Sequence, residues 1–107
     1  MKFTAIKYFD AFEKKDISAI LEIFDADVKL RDWEISAIGI DSVLTAITHI
    51  FCSVETLSIQ IINIFQNKAF VVAELNITTN NINSIHVVDI IEFNSNGKIC
   101  AIRAFKG

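Results

Sequence analysis

The hydrophobic period of the chain changes near residue 55, and this change limits the possible folds more than any other feature. Before it, apolar residues recur at helical spacing; after it, they alternate. Phe3 to Lys14 places Ala5, Ile6, Tyr8, Phe9 and Phe12 on one broad arc, with Thr4, Lys7, Asp10 and Lys14 facing away. Asp16 is placed to cap a second helix, Ile17 to Phe24, whose stripe is Ile17, Ile20, Leu21 and Phe24. Asp25-Ala26-Asp27 ends it. Val28, Leu30 and Trp33 suggest a short strand, and Gly39 then punctuates the chain. A third helix is expected from about Ile40 or Asp41 to Phe51.

Beyond Glu55 the pattern reads as strand. Leu57, Ile59 and Ile61 alternate, then Ile62 and Ile64 take the opposite phase, which predicts a bulge or sharp bend. Gln66-Asn67-Lys68 turns the chain into Phe70 to Thr79, and Thr79-Asn80-Asn81 turns it into Ile82 to Phe93. Asn94-Ser95-Asn96-Gly97 is the strongest hairpin signal present, and Lys98 to Phe105 closes the sheet. Helices first and an antiparallel meander after give an α+β fold with helices on one sheet face. At 107 residues, the chain reads as a single domain, 1–107.

Composition narrows the function classes. The net charge is −3 and the ten cations are scattered, so neither nucleic acid nor an anionic membrane surface is an expected partner. No apolar run approaches the ~18 residues of a membrane span. The early charges at Lys2 and Lys7 do not suit a signal peptide, so the expected location is cytoplasmic. Cys52 and Cys100 stand apart, with only His49 and His86 to join them. Zinc spacing is absent, no metal is expected, and the cysteines read as reduced core thiols. With three glycines and no proline, no phosphate-cradling loop is present.

A mean hydropathy of +0.45 and a hydrophobic fraction of 52% give more apolar surface than one small core hides. In the strand Ile82 to Phe93 the excess is localised. Ile85, Val87, Asp89, Ile91 and Phe93 share one face; His86, Val88, Ile90 and Glu92 share the other. Both are largely apolar, so the face away from the helices needs a cover, most simply a second copy of the chain. Val72, Val88, Ile90 and Ile102 are candidates for that homodimer surface. Asp89 is the informative exception. A carboxylate among Ile and Val either has a raised pKa, or meets a cation such as Arg103, or lies at a wet end of the sheet.

Two stretches carry a family likeness. Tyr8-Phe9-Asp10-Ala11-Phe12-Glu13-Lys14-Lys15-Asp16 with Leu21 to Val28 resembles the opening helices of the nuclear-transport-factor-2-like superfamily. Val87 to Phe93, Asn96-Gly97-Lys98-Ile99 and Ile102 to Phe105 are similar to its last hairpin. Within it, the pattern most resembles ketosteroid isomerases and SnoaL-like polyketide cyclases. The resemblance implies a cone-shaped, strongly bent antiparallel sheet with three N-terminal helices on its concave face. It also implies three site residues: Tyr8 as an oxyanion donor on the first helix, Asp32 as the base at the end of the first strand, and Asp89 as a protonated second donor. In those isomerases a carboxylic acid is kept neutral so that it can donate a hydrogen bond.

The expected function is therefore a ketosteroid-isomerase-like enzyme that moves a proton on a small apolar carbonyl substrate through an enolate, with no cofactor. The alternative is a non-catalytic homodimeric module of the same fold that binds a small ligand or a protein. A dehydratase or epoxide hydrolase is a third possibility, because fold does not fix function. Trp33, Phe51, Phe65 and Ile91 are the expected pocket lining. Each candidate has a plain structural reading as well: Tyr8 as a core residue, Asp32 as a solvated turn residue or a partner of Lys29 or Arg31. Departures from the isomerases gather at the pocket mouth. Trp33 and Glu34 replace the usual proline and small residue, the loop to Gly39 is about two residues shorter, and residues that help close the pocket are missing beyond Gly107.

Overall fold

The computed structural model describes residues 1–107. Two helices, α1 (Lys2–Glu13) and α2 (Ile17–Ile23), lead into β1 (Phe24–Arg31) and a short β2 (Ser36–Ile38). Helix α3 (Ile40–Ser53) follows. The rest is strand: β3 (Leu57–Asn67), β4 (Phe70–Thr79), β5 (Asn83–Phe93) and β6 (Ile99–Lys106). The α+β architecture is as the sequence predicts. No helix is long and apolar enough to cross a membrane.

Local chemistry sets the boundaries. In α1, Ala5, Tyr8 and Phe9 are buried and Phe12 half-buried, an i, i+3, i+4, i+7 stripe, while Ile6 falls outside it and stays exposed. Lys15 takes a left-handed conformation between the helices (φ 56°). Asp16 then caps α2, its Oδ1 accepting the Ala19 N–H at 3.1 Å. Helix α2 ends at Ile23, one residue before the expected end, because Phe24 is already extended and pairs with Ile99. Leu21, expected in the α2 stripe, is exposed. Gly39 (φ 90°) swings the chain from β2 into α3 and donates its N–H to the Val28 carbonyl at 2.8 Å.

The sheet is open, with strand order β2-β1-β6-β5-β4-β3. Strands β3 to β6 form the antiparallel meander expected, but β1 joins β6 in parallel, so the sheet is mixed. Sequence alternation cannot distinguish the two directions. The predicted bend is present: the β3–β4 register shifts between Ile61 and Asn63. At the Asn94–Gly97 turn, Gly97 (φ 76°) donates to the Asn94 carbonyl, and the Asn94 side chain accepts the N–H groups of Asn96 and Lys98.

Register sorts the side chains onto two faces. On the concave face, Val71, Ala73 and Leu75 of β4 lie beside Val87, Asp89 and Ile91 of β5. Ile102 sits opposite Ile91 and is buried. This corrects the expectation that Ile102 faces outward. Val72, Val88 and Ile90 do lie on the convex face, half-buried, with Phe65, Phe70 and Phe105 exposed among them. The expected core thiol at residue 52 is also corrected, since Cys52 is exposed on α3; Cys100 is half-buried.

Candidate active site

The site grows from helix α1, the turn after β1, and strand β5. Helix α1 has Tyr8 on its buried stripe, so packing the helix carries the phenol toward the sheet. On β5, Asp89 has the concave phase and is only 7% exposed. Its neighbours across the ladder are Ala73 on β4 and Ala104 on β6, the smallest side chains available in a strand interior. Of the two, Ala104 borders the cavity beside the carboxyl, where a larger side chain would fill space.

Asp32 follows the last residue of β1 and builds a tight turn. Its Oδ1 accepts the N–H of Glu34 at 2.7 Å and of Ile35 at 2.6 Å, while its own N–H donates to the Ile35 carbonyl at 2.9 Å. This Asx-type arrangement fixes the carboxylate and leaves Oδ2 without a bond to the turn. Trp33, read as strand in the sequence, is instead carried in the bend at the top of that turn. Asp32 does not pair with Lys29 or Arg31; the side chain is both turn former and cavity wall.

Tyr8, Asp32 and Asp89 meet at one cavity of about 210 Å³ under the helices. Fifteen of its nineteen lining residues are apolar, and none is Lys, Arg or His. Arg103, the cation considered for Asp89, lies opposite Ile90 and so belongs to the convex face. Asp89 is left with apolar surroundings and another carboxylate. Burial, and after it the Asp32 charge, raise its pKa from 3.8 to about 7. Burial, and then the charges of Asp89 and Asp32, push the Tyr8 phenol well above its ordinary value. At neutral pH the site can thus present a phenol, a carboxyl near its midpoint and a fixed carboxylate to one ligand.

The expected pocket lining divides. Trp33 lines the cavity. Phe51 and Ile91 are buried in the core beside it rather than in its wall. Phe65 is 63% exposed and pairs with Val72 on the convex face, because the bulge at Ile61 to Asn63 reverses the strand's phase. Phe9, Phe12, Leu30, Ile50 and Leu75 supply the wall instead. Helical spacing marked the two phenylalanines as apolar, but only the packed fold shows which apolar residues border empty space. No three His, Cys, Asp or Glu side chains converge closely enough to hold a metal ion.

Comparison with known proteins agrees with this architecture. Among solved structures, a provisionally assigned polyketide cyclase from Sinorhizobium meliloti superposes with a TM-score of 0.87 at 13% identity, over 97% of this chain and 94% of that one. A provisionally assigned SnoaL-like isomerase from Agrobacterium tumefaciens gives 0.85 at 11% identity, over 98% and 95%. A provisionally assigned ketosteroid isomerase from Kribbella flavida gives 0.84 at 14% identity, over 99% and 76%. At these identities the likeness concerns fold. No curated protein matches the chain in sequence. The pattern of the SnoaL-like domain spans residues 5–102, nearly the whole chain, and the protein belongs to the SnoaL-like domain family.

Proposed function

We propose that the protein is an enzyme that moves a proton on a small apolar carbonyl compound through an enolate. The observation that carries this reading is the convergence of Tyr8, Asp32 and Asp89 on one apolar cavity. Asp32 Oδ2 takes a proton from the carbon next to the carbonyl. The electron pair left behind moves onto the carbonyl oxygen, where the Tyr8 hydroxyl and protonated Asp89 donate hydrogen bonds. Asp32 then returns the proton to a different carbon and regains its charge. Each oxyanion donor contributes about 3–4 kcal/mol to such a step. The step needs no external oxidant, reductant or group donor.

The site residues suit this chemistry in kind. An enolate needs donors that remain protonated, and burial keeps both donors on the protonated side relative to solvent. A shuttle needs one carboxylate held still, and the Asp32 turn does that. The same hydrogen bonds favour a second reading, a ligand-binding module in which Asp32 serves only its turn. Turnover separates the two. A β,γ-unsaturated ketone followed at the absorbance of its conjugated product should isomerise with the native chain and not with Asp32→Asn. Equal rates for both proteins would leave only the binding reading.

We infer that the working form is a homodimer joined through the convex sheet face. Phe65 and Phe105 are 63% and 56% exposed there, beside Phe70, Val72, Val88 and Ile90. An apolar patch of this composition on a sheet face is a normal site for a second subunit.

A further inference from the structure

The cavity has a size and a charge character that select a ligand class. Its volume of about 210 Å³ exceeds the roughly 150 Å³ that encloses a benzene and falls short of the roughly 300 Å³ at which drug-sized pockets begin. A ligand wholly enclosed here has one ring or two. Tyr8 and Asp89 both line the cavity, and fifteen of the nineteen lining residues are apolar. Beyond these two, the only polar side chains in the lining are Asp32, Glu34 and Thr79, so most positions for a second polar group on the ligand would meet carbon.

Charge sharpens the choice. Asp32, Glu34 and Asp89 all border the cavity, with no basic side chain among the lining residues. An anionic ligand would be desolvated beside carboxylates with nothing to pair it. A neutral ligand meets no such cost. A cationic ligand would gain Asp32 but would place its charge against the apolar wall.

The turn that Asp32 builds carries one wall of the cavity. Its two side-chain hydrogen bonds and the Asp32–Ile35 backbone bond hold residues 32 to 35 in a closed loop. Trp33 rides on that loop, lining the cavity on one side and 43% exposed on the other. It is a wall residue that solvent also reaches. The side chain that would act as base therefore also fixes the loop that carries Trp33.

We propose that the site takes a neutral ketone of one or two fused rings, and that Trp33 sets this limit by standing across the path of anything longer. This rests on the reading of the cavity as a carbonyl site, but it is tested by binding, without turnover. The probes are saturated ketones that cannot isomerise: cyclohexanone, 2-decalone and a saturated four-ring 3-ketosteroid. Decalin-2-carboxylate and 2-aminodecalin carry the two charges on the two-ring frame. Affinities are measured by calorimetry or protein NMR on the native chain, Trp33→Ala and Trp33→Phe.

The native chain should bind 2-decalone at least about tenfold more tightly than the ketosteroid, equivalent to about 1.4 kcal/mol. Both charged frames should bind more weakly than the ketone. Trp33→Ala should narrow or reverse the gap between the two-ring and four-ring ketones, and Trp33→Phe should restore it. Equal affinity for 2-decalone and ketosteroid in the native chain would overturn the proposal, as would a charged frame that matches the ketone. An unchanged ranking in Trp33→Ala, with the fold intact by circular dichroism, would remove Trp33 from the account. Tight binding of 2-decalone by a chain that never isomerises an unsaturated ketone would sink the proton-transfer reading and leave this one standing. Failure of every ketone to bind would sink both.

Discussion

Asp89 shows how little sequence is needed to place a carboxyl and how much structure is needed to give it a task. Its phase among Ile85, Val87 and Ile91 is enough to put it on the apolar face, where the structure has it. That Arg103 lies on the other face follows only from the β5–β6 register, and that small Ala104 stands beside Asp89 at the cavity follows from the same register and the packing. Because its folded pKa lies above the unfolded one, the native state holds a proton that the unfolded chain releases. Asp89 then costs nothing below about pH 4, and stability is lost as pH rises from there through about 7. The full rise corresponds to roughly 4 kcal/mol. Asp89→Asn should therefore match the native chain near pH 4 and exceed it by up to about 4 kcal/mol at pH 8, as read by urea denaturation across pH. A constant difference at all pH values would contradict the assignment. In activity, the same titration predicts a loss as pH rises past about 7, absent from the Asn variant. Tyr8→Phe removes one oxyanion donor and should lower kcat by about 100- to 1,000-fold with little change in KM.

At the scale of elements, the helices and the meander were legible because each keeps one period over many residues. The bulge in β3 was legible too, since Ile62 and Ile64 break the alternation of Leu57, Ile59 and Ile61. Its consequence was harder to follow: the same break sends Phe65 outward, although an aromatic in a strand invites a pocket role. Strand β2 left no signal, because Ser36-Ala37-Ile38 is too short to show a period and its one large apolar residue, Ile38, is exposed. The Asn80-Asn81 turn carries more than its composition suggests. Asn80 takes φ 54°, and its Oδ1 accepts the Glu55 N–H at 2.7 Å, tying the β4–β5 turn to the entry of β3. Asn80→Ala loses that bond and keeps the strained backbone, so it should cost about 1–3 kcal/mol. Equilibrium unfolding checks this, with an unchanged denaturant slope marking a local effect. Asn80→Gly relieves the backbone and should recover part of the loss.

Over the whole molecule, the sequence carried the fold through its two periods and left the cavity to the packing. Empty space is a property of what does not touch, and no spacing rule reports it. The surplus of apolar residues, in contrast, was visible from composition and reappears as the convex patch of Phe65, Phe70 and Phe105 with Val72, Val88 and Ile90. A charge at its centre should separate a dimer without disturbing the concave core: Val88→Glu is predicted to sediment as a monomer where the native chain sediments as a dimer. A native chain that is monomeric at micromolar concentration would contradict that surface. The central claim remains the proton moved by Asp32, and it is tested most directly by exchange at carbon. A one- or two-ring ketone in deuterium oxide, followed by proton NMR, should lose its α-hydrogen signal faster with the native chain than without it. Asp32→Asn is the matched control, because its amide oxygen can accept the same Glu34 and Ile35 N–H groups. The account predicts exchange at least about 100-fold faster with the native chain than with the variant. Equal exchange in both proteins, with the ketone bound in both, would contradict it.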